Sequence, residues 1–138
     1  MSEAWDAEIA REMRELDTEH GYQVGLIDKL LGALETDDKP VVNALFDQLL
    51  DVTSIHFADE QVLMRQHSYP IYAAHLDEHR RMVEALQDLI NRNGTGEKLN
   101  DEVIAVRGWF ASHIAHMDRE FAVHITAESA SRAVPPGA

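Results

Sequence analysis

Apolar residues recur every three or four positions along almost the whole chain, and nowhere do they alternate over the length of a strand. That periodicity predicts an all-α fold. Asp17 suits the N-cap of a first helix carrying Leu26, Ile27, Leu30, Leu31 and Leu34, which the polar run Thr36-Asp37-Asp38 stops. Pro40 fits the first turn of a second helix, which carries Val42, Leu45, Phe46, Leu49, Leu50, Ile55 and Val62 to about Arg65. His67 to Tyr69 reads as a connection. Pro70 opens a third helix with Leu76, Met82, Val83, Leu86, Leu89 and Ile90, ended by Asn93-Gly94-Thr95-Gly96. A fourth carries Val103, Ile104, Trp109, Phe110, Ile114 and Met117, and a shorter stretch follows from Arg119 to about Ala127.

Four amphipathic helices on short loops pack most simply as an antiparallel up-down-up-down four-helix bundle. The predicted organisation is an N-terminal arm over residues 1–16, anchored by Trp5 and Ile9 and partly open to helix formation. The bundle with its short C-terminal helix takes 17–127, and a disordered tail over 128–138 ends in Pro135-Pro136-Gly137.

At 138 residues the chain fits one domain with a real core. A formal charge of −13, with no basic cluster, argues against nucleic acid and against an anionic membrane surface. No apolar run approaches the roughly 20 residues of a spanning helix, and the start MSEAWDAEIA lacks a basic, apolar leader, so a cytoplasmic location is expected. A monomer is the expected state. The chain has no cysteine, which removes disulfides, iron–sulfur clusters and thiolate zinc sites. Any metal must be held by nitrogen and oxygen.

Histidine and carboxylate placement makes such a metal the central expectation. His20 stands on the first helix, His56 with Glu60 on the second, His75 with His79 on the third, and His113 with Asp118 on the fourth. Residues four apart on an ideal helix differ by about 40°, so each of the middle two pairs shares a face one turn apart. Carboxylates can bridge two cations, and imidazole suits iron, zinc or copper, so five imidazoles with two carboxylates predict two metals. Residues five apart differ by about 140° in a regular helix, which would send His113 and Asp118 in divergent directions. The fourth helix is therefore expected to be overwound or bulged between them. A single histidine on a helix is more often a surface or satisfied core residue, and His67, His116 and His124 are read that way. Glu78 and Asp77 are read as solvated residues or as acceptors for a ligand imidazole.

These motifs resemble the hemerythrin family, including its single-domain bacterial members, over roughly Trp5 to Phe121. Leu16-Asp17-Thr18-Glu19-His20 is similar to its first-helix motif, and His56-Phe57-Ala58-Asp59-Glu60 with Met64 to its second. Tyr69-Pro70 leading to His75-Leu76-Asp77-Glu78-His79 resembles the third, and Trp109-Phe110-Ala111-Ser112-His113-Ile114 through Asp118 the fourth. The resemblance implies two iron ions with an oxo or hydroxo bridge. It assigns His75, His79 and His113 to one iron and His20 and His56 to the other, with Glu60 and Asp118 bridging. The two-histidine iron then has an open position, where dioxygen or a small anion binds.

By the same resemblance Phe57, Trp109 and Ile114 line the oxygen pocket, although plain core packing would also place them inward. Gln23 stands where the family is expected to carry leucine, and Glu19 where glutamine is more usual. Near the bound ligand Gln23 would stabilise it by a hydrogen bond or admit water. The expected function is reversible dioxygen binding for storage, delivery or sensing. The alternative is a di-iron enzyme reducing peroxide or acting on dioxygen or nitric oxide. A ferritin-like ferroxidase fits poorly, because no Glu stands three residues before any His. A zinc hydrolase fits no better, since Leu76 follows His75 where a general-base Glu would be needed.

Overall fold

A computed structural model describes the backbone of residues 2–133 and the side chains of residues 7–128. It is all helical: α1 (Ser2–Glu35), α2 (Lys39–Gln66), α3 (Tyr72–Gly94), α4 (Asn100–His113), a π-helical turn (Ile114–Asp118) and α5 (Arg119–Ala133). α1 packs on α2, α4 and α5, and α3 joins α2 to α4, which closes the predicted bundle.

The loops follow local chemistry. Asp37 takes a left-handed conformation (φ 55°) after α1, and Asp38 then caps α2 by accepting from the Val41 amide at 3.4 Å, with Pro40 in the first turn. Ser68 (φ 50°) ends α2, and Gly96 (φ 82°) supplies the turn after α3 that a side chain would disfavour. Pro70 lies in the turn ahead of α3 rather than inside its first turn, because the Tyr69 and Tyr72 amides close turns onto Met64 and Tyr69 carbonyls.

Both ends of the chain differ from the sequence reading. α1 begins at Ser2, so Asp17 lies mid-helix and is not an N-cap. Ile9, Met13 and Leu16 continue the apolar spacing and pack with Phe121 and Ile125, which makes the predicted arm the first half of a long helix. The Trp5 side chain lies outside the described residues. α5 runs on to Ala133, so residues 128–133 of the predicted tail are helical, and 134–138 lie outside the described residues.

The apolar interior forms two clusters. One holds Leu26, Ile27, Leu30, Phe46, Leu49, Met82, Leu86, Val103 and Phe110; the other holds Ile9, Leu16, Leu63, Met64, Tyr69, Phe121 and Ile125. α1, α2 and α3 each pass from one cluster to the other, as does the rod formed by α4, the π turn and α5. At each crossing stand the predicted ligands: between Leu16 and Leu26 on α1, Leu49 and Leu63 on α2, Tyr72 and Met82 on α3, Phe110 and Phe121 on the last helical rod. The core is thus a sandwich with one polar layer.

Candidate metal centre

Antiparallel helices bring that layer together from residues far apart in sequence. Glu60, His75, His79, His113 and Asp118 form one group whose potential ligand atoms lie within 4.8 Å of one another, and His20, His56, Glu60 and Asp118 form a second. Only the two carboxylates belong to both. Oε1 of Glu60 lies 2.7 Å from His75 Nε2 and 3.0 Å from His79 Nε2, whereas its Oε2 lies 3.6 Å from His56 Nε2 and 4.0 Å from His20 Nε2. Oδ1 of Asp118 lies 2.9 Å from both His75 Nε2 and His113 Nε2, and its Oδ2 lies 2.9 Å from His20 Nε2. Each carboxylate therefore turns one oxygen to the three-histidine group and the other to the two-histidine group.

The π turn makes the Asp118 contact available. Its wider ring brings a residue five positions on back toward the same face, where a regular helix would rotate it away. The expected distortion is present, and it is a bulge; an overwound turn would have the opposite sense.

A metal fits the donor set. Among the described residues, His20 Nε2, His56 Nε2, His79 Nε2, Glu60 Oε1 and Asp118 Oδ2 are buried with no hydrogen-bond partner. They sit close together without being aligned as donors to acceptors. Burying so many unpaired polar atoms is costly, and nitrogen and oxygen donors converging on shared points are what a cation of the iron, zinc or manganese type relieves.

Electrostatics divide the layer. Burial alone would raise both carboxyls, but the imidazoles of His75 and His79 hold Glu60 below its ordinary value, and those of His113, His20 and His75 hold Asp118 far below it. Burial likewise opposes a charged His75, yet Asp118 and Glu60 beside it raise it to about 9, and Asp118 raises His20 in the same way. Burial dominates at His56, pushed down to about 4, and lowers His79. The metal-free chain thus holds protons on His75 and His20 that the unfolded chain releases near pH 6.5. Their stabilisation is complete below about pH 6.5 and is lost as pH rises toward 9, whereas the lowered His56 and His79 act only below that window. The melting temperature of metal-free protein is expected to fall steadily across this alkaline range in a circular-dichroism series. Bound metal replaces the protons and should flatten the slope. A flat profile without metal would refute this assignment of protons.

Several partners of the imidazoles escaped the sequence reading. His56 Nδ1 faces Glu19 Oε2 at 3.4 Å, and His79 Nδ1 meets Gln61 Oε1 at 3.2 Å. Glu19 is itself raised to about 7 by burial and by Asp59. Gln23 is 1% exposed, and its Nε2 donates to Thr53 Oγ1 at 3.1 Å; Thr53 is wholly buried. A signal for Thr53 existed: it occupies a core register position on α2, in line with Phe46, Leu49 and His56. Gln61 carried none, because spacing gives a face and not the reach of a side chain.

The predicted pocket residues are distributed around the layer. Phe57 stacks on His79 with ring centroids 3.8 Å apart, on the three-histidine side. Trp109 Nε1 donates to Glu78, which settles that carboxylate as an indole acceptor, whereas Asp77 pairs at the surface with Arg80 and Arg81. Ile114 borders a cleft shared with Leu16, His20, Glu60 and Asp118. His67, His116 and His124 stay outside the layer. His67 and His124 engage Glu128, and exposed His116 bonds the Ser112 carbonyl.

Residues 12–125 match the Hemerythrin HHE cation binding domain. The chain belongs to the hemerythrin family. Relatives named bacteriohemerythrin include that of Methylococcus capsulatus, 28% identical over 82% of this chain and 88% of its own length. The Stenotrophomonas maltophilia protein is 26% identical over 89% and 81%, and that of Aquifex aeolicus 29% identical over 75% and 82%. No solved structure matches. The hemerythrin family binds non-haem iron, and the histidine and carboxylate cluster of this member is able to hold metal. Among the described residues no helix is long and apolar enough to cross a membrane.

Proposed function

We propose that this hemerythrin-family chain is a non-haem di-iron protein that reversibly binds dioxygen, for storage, delivery or sensing, as a cytoplasmic monomer. The observation that carries this reading is the membership of Glu60 and Asp118 in both ligand groups. His75, His79 and His113 with one oxygen from each carboxylate would hold one iron, and His20 and His56 with the other two oxygens would hold the second, beside an oxo or hydroxo bridge supplied by solvent. With one protein ligand fewer, the His20–His56 side would leave room for dioxygen or a small anion. When bound, a reduced iron pair supplies two electrons to dioxygen and recovers them on release.

The protein's own residues hold and shield this pair. Gln61 fixes the imidazole plane of His79 through its Nδ1 atom, which sets which nitrogen is free for metal, and Glu19 stands 3.4 Å from His56 Nδ1 without a hydrogen bond to it. Phe57, Met64 and Phe110 close the layer with apolar surface that excludes water. Metal analysis with anaerobic, aerobic and degassed absorption spectra tests the reading. Two irons per chain and an oxygenated spectrum that reverts on degassing are expected; fewer irons, or no reversible change, would defeat it. The buried Gln23–Thr53 pair favours a second reading, turnover of peroxide, dioxygen or nitric oxide at the same position. Catalytic consumption of peroxide with rapid conversion to the diferric form would establish it instead.

A further inference from the structure

Among the described residues, the buried polar side chains are six of the seven ligand candidates and two others, Gln23 and Thr53. These two have no evident packing purpose. Their neighbours along the helices are Leu26, Ile27 and Leu49, and leucine and valine would fill the same space without an amide or a hydroxyl to desolvate. Their positions relate to the metal layer instead. Gln23 stands three residues after His20 on α1, Thr53 three residues before His56 on α2, and the helices are antiparallel. The His20 and His56 rings, 4.6 Å apart, and the Gln23–Thr53 hydrogen bond of 3.1 Å are therefore adjacent rungs between the same two helices.

The two rungs lie one helical turn apart on α1 and α2. Glu60 approaches from one turn beyond His56, toward Leu63 and Met64, and no other ligand candidate on α1 or α2 lies on the Gln23 side. The bond to Thr53 fixes the direction of the amide while using one of its two N–H donors. The second donor remains for an acceptor.

We infer that Gln23, held by Thr53, donates a hydrogen bond to a small anionic or oxygen-derived ligand seated on the His20–His56 side of the centre. This pair makes the position selective for ligands whose outer atom accepts a proton donor. The inference rests on the di-iron reading above and adds a recognising group to it.

Azide, a small anion with a terminal acceptor atom, is the probe. Diferric holoprotein is titrated with azide by charge-transfer absorbance, and the infrared stretch of bound azide is compared in H₂O and D₂O. Gln23→Leu is expected to raise the azide Kd about tenfold or more and to abolish the solvent-isotope shift, because a hydrogen bond to a charged acceptor is lost. Thr53→Val, which keeps the donor but frees it, should weaken azide by less, and Thr53→Ser should restore it. Unchanged azide affinity in both Gln23→Leu and Thr53→Val, even with altered melting temperature, would reduce the pair to a structural role and overturn the inference. Wild-type protein with two irons but no isotope shift would overturn it too. Wild-type protein with no azide band at all would sink the di-iron reading itself, a distinct result.

Discussion

Asp118→Ala is expected to leave a folded helical chain that no longer loads two metals. Its carboxylate contacts His75, His113 and His20 at 2.9 Å each and is a member of both ligand groups. Without it the three-histidine group keeps four members, Glu60, His75, His79 and His113, and the other keeps only His20, His56 and Glu60. Loss of a residue that merely orients a ligand lowers metal affinity about 10–100-fold, and loss of a shared ligand should exceed that at the two-histidine position. Metal content is expected to fall from two per chain to one or fewer, with the helical circular-dichroism signal retained. In metal-free Asp118→Ala the raised proton affinity of His75 loses its first favourable cause, so the alkaline loss of stability should shrink as well. Retention of two tightly held metals would remove Asp118 from the centre.

Phe46→Ala should do the reverse. Phe46 is 1% exposed in the larger apolar cluster with Leu26, Ile27 and Leu30. Truncating a buried phenylalanine costs about 3–5 kcal/mol, a large share of the roughly 5–15 kcal/mol that holds a domain folded. For a chain of this size the melting temperature should drop by about 10–20 °C. Phe46 precedes His56 by ten residues, about 15 Å along the helix, so metal stoichiometry should persist below the transition. Urea denaturation with metal analysis separates the two variants: one loses metal and keeps its fold, the other keeps metal and loses stability. A change in Phe46→Ala below about 1 kcal/mol would mean that the cluster repacks around the missing ring.

The ligand pairs could be read before any coordinates because spacing on a helix converts directly into direction. His56 with Glu60 and His75 with His79 needed only the helical repeat, and the awkward step from His113 to Asp118 announced a distortion by failing that repeat. Its sense was left open, although only a widened ring brings a residue five positions on back toward the same face and an overwound turn does not. The beginning of α1 was misread for a related reason. Asp17 has the chemistry of an N-cap, but capping needs a free helix end, and the continuing spacing of Ile9, Met13 and Leu16 outweighed the local signal. Glu19, Gln61 and the Gln23–Thr53 bond depend on how far a flexible side chain reaches across to another helix, which no periodicity encodes.

The π turn has a further consequence, visible when the buried positions of the last rod are counted as intervals. Val103, Val106, Phe110 and His113 advance by three, four and three; Asp118, Phe121 and Ile125 advance by three and four. The interval between the two sets is five, where the alternating rhythm calls for four. One residue is therefore surplus to the packing arithmetic, and the helix stores it in a single widened ring instead of passing the error downstream. Both apolar clusters see an unbroken beat, while the metal layer alone sits at the syncopation.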